Sequence, residues 1–213
     1  MDDPRKLLFL DIDGVLNSLA FYKSDFCQKE REMHGSKAKQ YDLKKLDLLK
    51  EIHDKTNCTI IMSSSWRVFY FDYKFQMDYG CMVLKKDLKE RGIEINYCTG
   101  NEYYENWYTI YNGMEWKKDE NGLWHYFYIE SENRKKPPKV KHFYERGLQI
   151  KNFKDEWEKE HGKCNFAILD DDDGDLHLFG KHFVQTSWYG ENEEEAALTP
   201  KHVQKCIKLL NRR

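Results

Sequence analysis

The sequence predicts an α/β fold with a central parallel sheet. Three short apolar runs, at 7–10, 59–62 and 165–169, are typical of strands that are buried on both faces. Between the first two runs, Asp42 is a predicted helix N-cap. The apolar stripe that follows it has helical spacing and consists of Leu43, Leu46, Leu49 and Ile52. A strand, a helix and a second buried strand in this order indicate a βαβ unit with parallel strands.

Composition narrows the class of protein. The chain has 213 residues, enough for one domain with an insertion or for two small domains. Its net charge of -2 provides no global attraction to nucleic acid or to an anionic membrane. No apolar run approaches the ~20 residues of a membrane span, and the N-terminus is acidic where a signal peptide is basic. The six cysteines include no Cys-x-x-Cys pair, so we expect reduced thiols and a cytoplasmic protein without membrane contact.

Two aspartates follow the first predicted strand directly. Asp11 and Asp13 are two residues apart, so their side chains point the same way if the strand continues that far, and Gly14 comes next. Two carboxylates at the end of a buried strand repel each other and are costly to desolvate. A cation relieves both problems, and hard oxygen ligands of this kind suit Mg²⁺.

Polar residues also follow the other two predicted strands. The second strand ends in three serines at a position where open α/β sheets bind ligands, and a serine hydroxyl can donate to a phosphate oxygen. We favour Ser64 for this role, with Ser63 as the alternative. Arg67 is either a further phosphate contact or the partner of a surface acid. The third strand runs into Asp170 and Asp171, the start of an acidic run whose spacing does not fit an EF-hand.

These residues resemble the four motifs of the haloacid dehalogenase (HAD) superfamily. Phe-Leu-Asp-Ile-Asp-Gly-Val-Leu at 9–16 resembles the first motif, the serine run the second, and Asp170-Asp171 the fourth. Arg146 fits the basic third motif, with Lys141 and Lys151 as rivals. The segment Arg-Gly-Leu-Gln-Ile at 146–150 also resembles the Arg-Gly-x-Glu-Ile pattern of a HAD branch associated with nucleic-acid repair proteins, and departs from it by a glutamine in place of glutamate.

The resemblance implies a Rossmann-like three-layer sandwich and a Mg²⁺-dependent phosphatase that acts through an aspartyl-phosphate. Asp11 is then the nucleophile and Asp13 the acid and base. Ser64 and Arg146 bind the non-bridging phosphate oxygens. The Mg²⁺ ligands are Asp11, the Asp13 backbone carbonyl, and Asp170 or Asp171, with Asp175 as a variant. An acid two residues after the nucleophile is the phosphatase pattern and argues against dehalogenation.

The resemblance covers the two ends of the chain and says little about its middle. We therefore predict a HAD core domain at 1–67 and 140–213, with a small aromatic-rich β-hairpin cap insertion at 68–139. The hairpin signal is Asn121-Gly122. The basic residues that follow it, which we predict to bind substrate, are Arg134, Lys135, Lys136 and Lys141.

Aromatic and basic side chains in this insertion either stack bases and hold a phosphate backbone, or form a separate small core with a solvated basic loop. The first interpretation predicts a nucleotide or a nucleic-acid end as the phosphorylated substrate. A sugar-phosphate or phosphoprotein phosphatase, and a non-catalytic HAD-fold binding protein, are the alternatives.

Overall fold

The computed structural model describes residues 2–35, 38–71, 79–100, 146–190, 192 and 194–212, and the backbone of 114–118 and 124–128. The chain divides into two compact units, one of Met1–Thr99 with Lys141–Arg213 and one of Gly100–Val140. The first unit thus includes residues 68–99, which the sequence analysis had grouped with the insertion. The cap role and the domain bounds stay predictions.

The first unit is built on a five-stranded sheet in which every pair of neighbouring strands is parallel. The strands of the chain are β1 (Asp3–Leu10), β2 (Cys58–Met62), β3 (Tyr97–Cys98), β4 (Met114–Lys118), β5 (Trp124–Tyr128), β6 (Asn165–Asp170) and β7 (Phe183–Gln185). The order in the sheet is β3-β2-β1-β6-β7, so the first strand of the chain is central. The predicted α/β fold with a central parallel sheet is confirmed.

Helices cover both faces of this sheet. The helices in the described part of the chain are α1 (Leu19–Lys23), α2 (Asp25–His34), α3 (Leu43–Thr56), α4 (Arg67–Phe71), α5 (Tyr79–Glu90), α6 (Arg146–His161) and α7 (Pro200–Leu210), with a 3-10 helix at Leu176–His182. Among the described helices, none is both long enough and apolar enough to cross a membrane.

The core lies in two layers on either side of β1, because its side chains alternate between faces. Leu8 and Leu10 belong to one buried cluster, which also contains Leu46 of α3 and Val203 of α7. The neighbouring side chains of β1, including Phe9, belong to a second cluster on the side of α6. A continuous apolar run therefore forms the middle strand of a three-layer sandwich.

The ends of α3 are set by local chemistry that the sequence predicts. The Asp42 carboxylate accepts a hydrogen bond from the Lys44 backbone N–H at 2.8 Å, which satisfies a donor of the first turn. Asn57, at the other end, adopts the left-handed conformation with φ of 54°. This stop places β2 directly after the helix, beside β1.

Some local expectations differ from the structure. The helical period of apolar residues is lost over 17–40, which predicts an irregular insertion, but α1 and α2 lie there, with Ser18 and Ser24 as their N-caps. Their apolar residues are too few for a helical stripe, so only the capping serines signalled them. The sequence over 93–98 predicts another strand, of which the structure forms only β3.

In the second unit, β4 and β5 form an antiparallel pair, with Met114 opposite Tyr128 and Lys118 opposite Trp124. This pairing agrees with the hairpin predicted around Asn121-Gly122. The turn itself and the basic residues that follow it lie outside the described residues.

Candidate active site

The carboxyl ends of three parallel strands bring the predicted site residues together. β1 pairs with β2 on one side and β6 on the other, with Leu10 opposite Met62 and Leu169. Backbone hydrogen bonds continue one residue past the strand ends: the Asp11 N–H donates to Leu169 at 2.9 Å, and the Ser63 N–H donates to Leu10 at 2.7 Å. The first residues of the site are thus held by the sheet itself.

Three carboxylates converge at this edge. One oxygen from each of Asp11, Asp170 and Asp171 lies within 4.8 Å of the others. Asp11 and Asp170 are buried, with exposed fractions of 4% and 0%. Gly14 makes room for the third acid: a Cβ at this glycine would lie 2.2 Å from Cγ of Asp171. Its φ of +70° is also a conformation that favours glycine.

Burial raises the pKa of all three acids in this cluster. Burial raises the pKa of Asp170 to about 8; Arg146 opposes this shift, and Asp11 adds to it. Burial, with the charge of Asp11, also raises the pKa of Asp171 to about 6. Burial also raises the pKa of Asp11, whereas Arg146 and Ser64 lower it. Such a cluster favours a cation.

Arg146 supplies one positive charge beside two of these acids. Its Nη1 lies 2.5 Å from Oδ2 of Asp170 and 3.2 Å from Oδ1 of Asp11. The start of α6 is fixed next to it, because the Gly147 N–H donates to the buried Asp175 carboxylate at 2.8 Å. Asp175 thus holds a helix terminus, and it is not part of the three-carboxylate cluster.

The two serines after β2 face different partners. Ser64 lies beside the Asp11 carboxyl and lowers its pKa, and the Ser64 hydroxyl accepts from the Trp66 backbone N–H at 3.3 Å. The Ser63 hydroxyl instead accepts a hydrogen bond from the Thr99 hydroxyl at 3.3 Å. Of the two, Ser64 is therefore the serine that contacts the predicted nucleophile.

Asp13 is held from two sides. Its Oδ1 accepts from the Asn17 side-chain amide at 2.9 Å, and its Oδ2 accepts from the indole N–H of Trp66 at 3.0 Å. Asn17 comes from the turn after β1, and Trp66 from the turn after β2. The predicted acid and base thus has a defined orientation beside the three-carboxylate cluster.

Comparison with known protein families identifies the family of the chain. Residues 7–196 match the HAD domain in Swiss Army Knife RNA repair proteins. The chain belongs to this HAD family. A search of curated proteins and a search of solved structures each give no match. HAD-domain proteins are generally phosphatase-type hydrolases, and the chain is placed in that class on the strength of this match.

HAD enzymes typically use Mg²⁺, and the donor set here fits that ion. Asp11, Asp170 and Asp171 offer only carboxylate oxygens, which are the hard ligands that Mg²⁺ prefers. Two of the three are buried, so their negative charge has little solvent to stabilise it. These residues would hold the ion in this chain.

The remaining predicted residues are Arg67, Lys151 and four cations outside the described part of the chain. Arg67 is 4% exposed and donates to the Ser64 backbone carbonyl at 2.7 Å and to the Gln149 side chain at 3.3 Å. It therefore joins the turn after β2 to α6. Lys151 pairs with Asp155 at 2.6 Å on the exposed side of α6. The substrate contacts predicted for Arg134, Lys135, Lys136 and Lys141 lie outside the described residues.

Sequence analysis did not single out Asn17 and Trp66 as site residues. Each lies close in sequence to a HAD motif, Asn17 six residues after Asp11 and Trp66 two residues after Ser64. For Trp66 that proximity was the only available signal, because its contact with Asp13, 53 residues away, depends on how the two turns meet.

Proposed function

We propose that this protein is a Mg²⁺-dependent phosphomonoester hydrolase that acts through an aspartyl-phosphate. Its substrate would be a phosphate on a nucleotide or at a nucleic-acid end. The observation that carries the proposal is the set of groups around the buried Asp11 side chain. Two further carboxylates, Ser64 and Arg146 lie next to it. Asp13 is held close by.

The first half of the reaction forms the covalent bond. A carboxylate oxygen of Asp11 attacks phosphorus while the bond from phosphorus to the leaving oxygen breaks. Asp13 gives its proton to that leaving oxygen. Arg146 and Ser64 lie against Asp11, so they are placed to donate to the non-bridging oxygens of a phosphate that approaches it.

The second half restores the enzyme. A water molecule attacks phosphorus and loses a proton to Asp13, while the bond from phosphorus to Asp11 breaks. The products are inorganic phosphate and the free Asp11 carboxylate, with Asp13 protonated again for the next turnover. One carboxyl group in a fixed position thus serves both steps.

When bound, Mg²⁺ supplies positive charge that reduces repulsion between the nucleophile and the phosphate. Asp11, Asp170 and Asp171 would hold it. In its absence burial raises the pKa of these acids, so protons compete with the ion for the cluster.

Two considerations support a nucleic-acid substrate. The matching family is described as the HAD domain of RNA repair proteins. The sequence of the insertion combines many aromatic residues with the basic run Arg134, Lys135 and Lys136, which suits bases and phosphates.

The direct test compares wild-type protein with Asp11→Asn on p-nitrophenyl phosphate and on 5′- and 3′-phosphorylated oligonucleotides. We expect wild-type turnover with Mg²⁺, loss of it with EDTA, and a fall of several orders of magnitude in Asp11→Asn. Acid quenching with ³²P-labelled substrate should trap label on wild-type protein only. Near-wild-type turnover in Asp11→Asn would contradict the mechanism. A wild type that binds oligonucleotides without hydrolysing any ester would indicate a binding protein.

A second experiment addresses the substrate class. Replacing Arg134, Lys135 and Lys136 with alanine should lower kcat/KM for a phosphorylated oligonucleotide and leave p-nitrophenyl phosphate unaffected. The wild-type preference for the oligonucleotide should weaken as salt rises. A control with the same charge change replaces three exposed lysines, Lys55, Lys86 and Lys159. Equal effects of both triple variants would remove the basic run from substrate binding, and sugar phosphates or phosphoproteins would then be tested.

A further inference from the structure

The strongest unassigned feature near the site is the pair of donors on Asp13. Both carboxylate oxygens accept a hydrogen bond, at 2.9 Å from Asn17 and 3.0 Å from Trp66. The two donors come from turns that follow different strands. An aspartate side chain has two rotatable bonds, and two donors on opposite oxygens fix both of them.

Each donor is itself held in place. Asn17 is fully buried, and its carbonyl oxygen accepts from the Gly14 N–H at 3.1 Å, so its NH₂ group must face Asp13. The same NH₂ group donates to the Gln40 carbonyl at 2.9 Å. Trp66 is half-buried and its ring packs against the larger core cluster.

The chemistry of the two donors matters as much as their position. An indole N–H and an amide NH₂ donate hydrogen bonds and cannot accept a proton. A proton carried by Asp13 therefore cannot pass to Trp66 or to the Asn17 amide group. A carboxylate has about four lone-pair sites, so two accepted bonds still leave sites for that proton.

We propose that Trp66 and Asn17 are positioning residues that hold Asp13 in one orientation for both proton transfers. This inference rests on the proposed function, because it assigns Asp13 the acid and base role. The two residues act through Asp13 and need not touch the substrate. Removing either donor should slow each step of the reaction in proportion to how much that step depends on proton transfer.

The test uses Trp66→Phe, which removes the N–H and keeps an aromatic ring, with aryl phosphates of similar shape. A poor leaving group needs the proton from Asp13, whereas p-nitrophenolate leaves without much help. We expect kcat/KM for phenyl phosphate to fall about tenfold or more, and that for p-nitrophenyl phosphate to change less than about twofold. With p-nitrophenyl phosphate, kcat and KM should fall together, because hydrolysis of the phosphoenzyme still needs Asp13.

Acid quenching provides a second measurement in the same variant. The phosphorylated fraction of Trp66→Phe at steady state should exceed that of wild type when p-nitrophenyl phosphate is the substrate. Asn17→Ala, which removes the amide donor and adds no charge beside Asp13, should depend on the leaving group in the same direction. It tests the other half of the pair independently, including the case in which Trp66→Phe does not fold.

The matched control is Trp157→Phe. Trp157 is also half-buried and its indole N–H donates at 2.7 Å to the Pro4 carbonyl, which lies at the start of β1, whereas Asp13 follows the other end of that strand. In this control variant, kcat/KM should fall by the same factor for all esters or should not change. If kcat/KM falls equally for all esters in Trp66→Phe and in Asn17→Ala, while the wild type is active, the positioning role is wrong and the proposed function stands. A wild type that hydrolyses no ester contradicts both.

Discussion

Gly14 offers the sharpest test of how the site is assembled. A Cβ at this position would lie 2.2 Å from Cγ and 2.6 Å from Oδ1 of Asp171. Real Cβ atoms do not approach so closely, so in Gly14→Ala the Asp171 carboxylate must move. The substitution adds one methyl group and changes no charge.

Two effects contribute to the expected magnitude. The φ of +70° at Gly14 is unfavourable for alanine, at a cost of ~1–2 kcal/mol of folding free energy. Displacement of Asp171 removes one of three carboxylates from the cluster. Because changes in groups that orient metal ligands typically weaken binding by about 10–100-fold, we expect the Mg²⁺ dissociation constant to rise by at least that factor.

Gly92→Ala separates these effects. Gly92 has a φ of +75°, close to that of Gly14, but a Cβ there would meet nothing within 4 Å. Urea unfolding should show a loss of ~1–2 kcal/mol in Gly92→Ala, and a loss at least as large in Gly14→Ala. Isothermal titration calorimetry should show wild-type Mg²⁺ affinity in Gly92→Ala alone. Equal Mg²⁺ affinity in the two variants would refute the placement of Asp171 in the metal site.

Three further outcomes are expected. Burial raises the pKa of Asp170 to about 8 and that of Asp171 to about 6, so protons compete with Mg²⁺ as the pH falls. The Mg²⁺-induced rise in Tm should therefore be smaller at about pH 6 than at about pH 8.5. A rise that does not depend on pH would contradict this. Tyr41→Phe removes a donor at 2.8 Å from the buried Asp87 carboxylate and should cost ~1.5–3 kcal/mol in urea unfolding, where a loss below ~0.5 kcal/mol would count against it. Leu49→Ala empties a fully buried position in the larger core cluster and should cost ~2–5 kcal/mol by the same measurement, unless the helix shifts to fill the space.

The sequence carried enough local information to place the main strands and helix ends. The apolar runs of β1, β2 and β6 are continuous because both faces of these strands are covered, and a strand of this kind is visible without knowledge of its neighbours. The cap at Asp42 and the stop at Asn57 depend on groups within a few residues of each other. Local chemistry of this kind can be predicted from a single sequence.

The direction of the side chains after the strand ends could not be predicted from such local signals. Ser63 and Ser64 are equivalent by composition, and the backbone geometry after β2 directs one to Thr99 and the other to Asp11. Arg146 and Lys151 are likewise both cations on one helix. Only the place where α6 begins turns the first towards the carboxylates and leaves the second paired with an exposed acid.

The sequence by itself determined the class of fold, the order of its buried strands and the acids that follow β1 and β6. The tertiary structure decided which distant side chains meet: Trp66 reaches Asp13, and Gly14 admits Asp171. The physical reason is the range of the interactions. Hydrophobic periodicity and capping act over a few residues, whereas a hydrogen bond between turns 53 residues apart exists only once parallel strands have aligned their carboxyl ends.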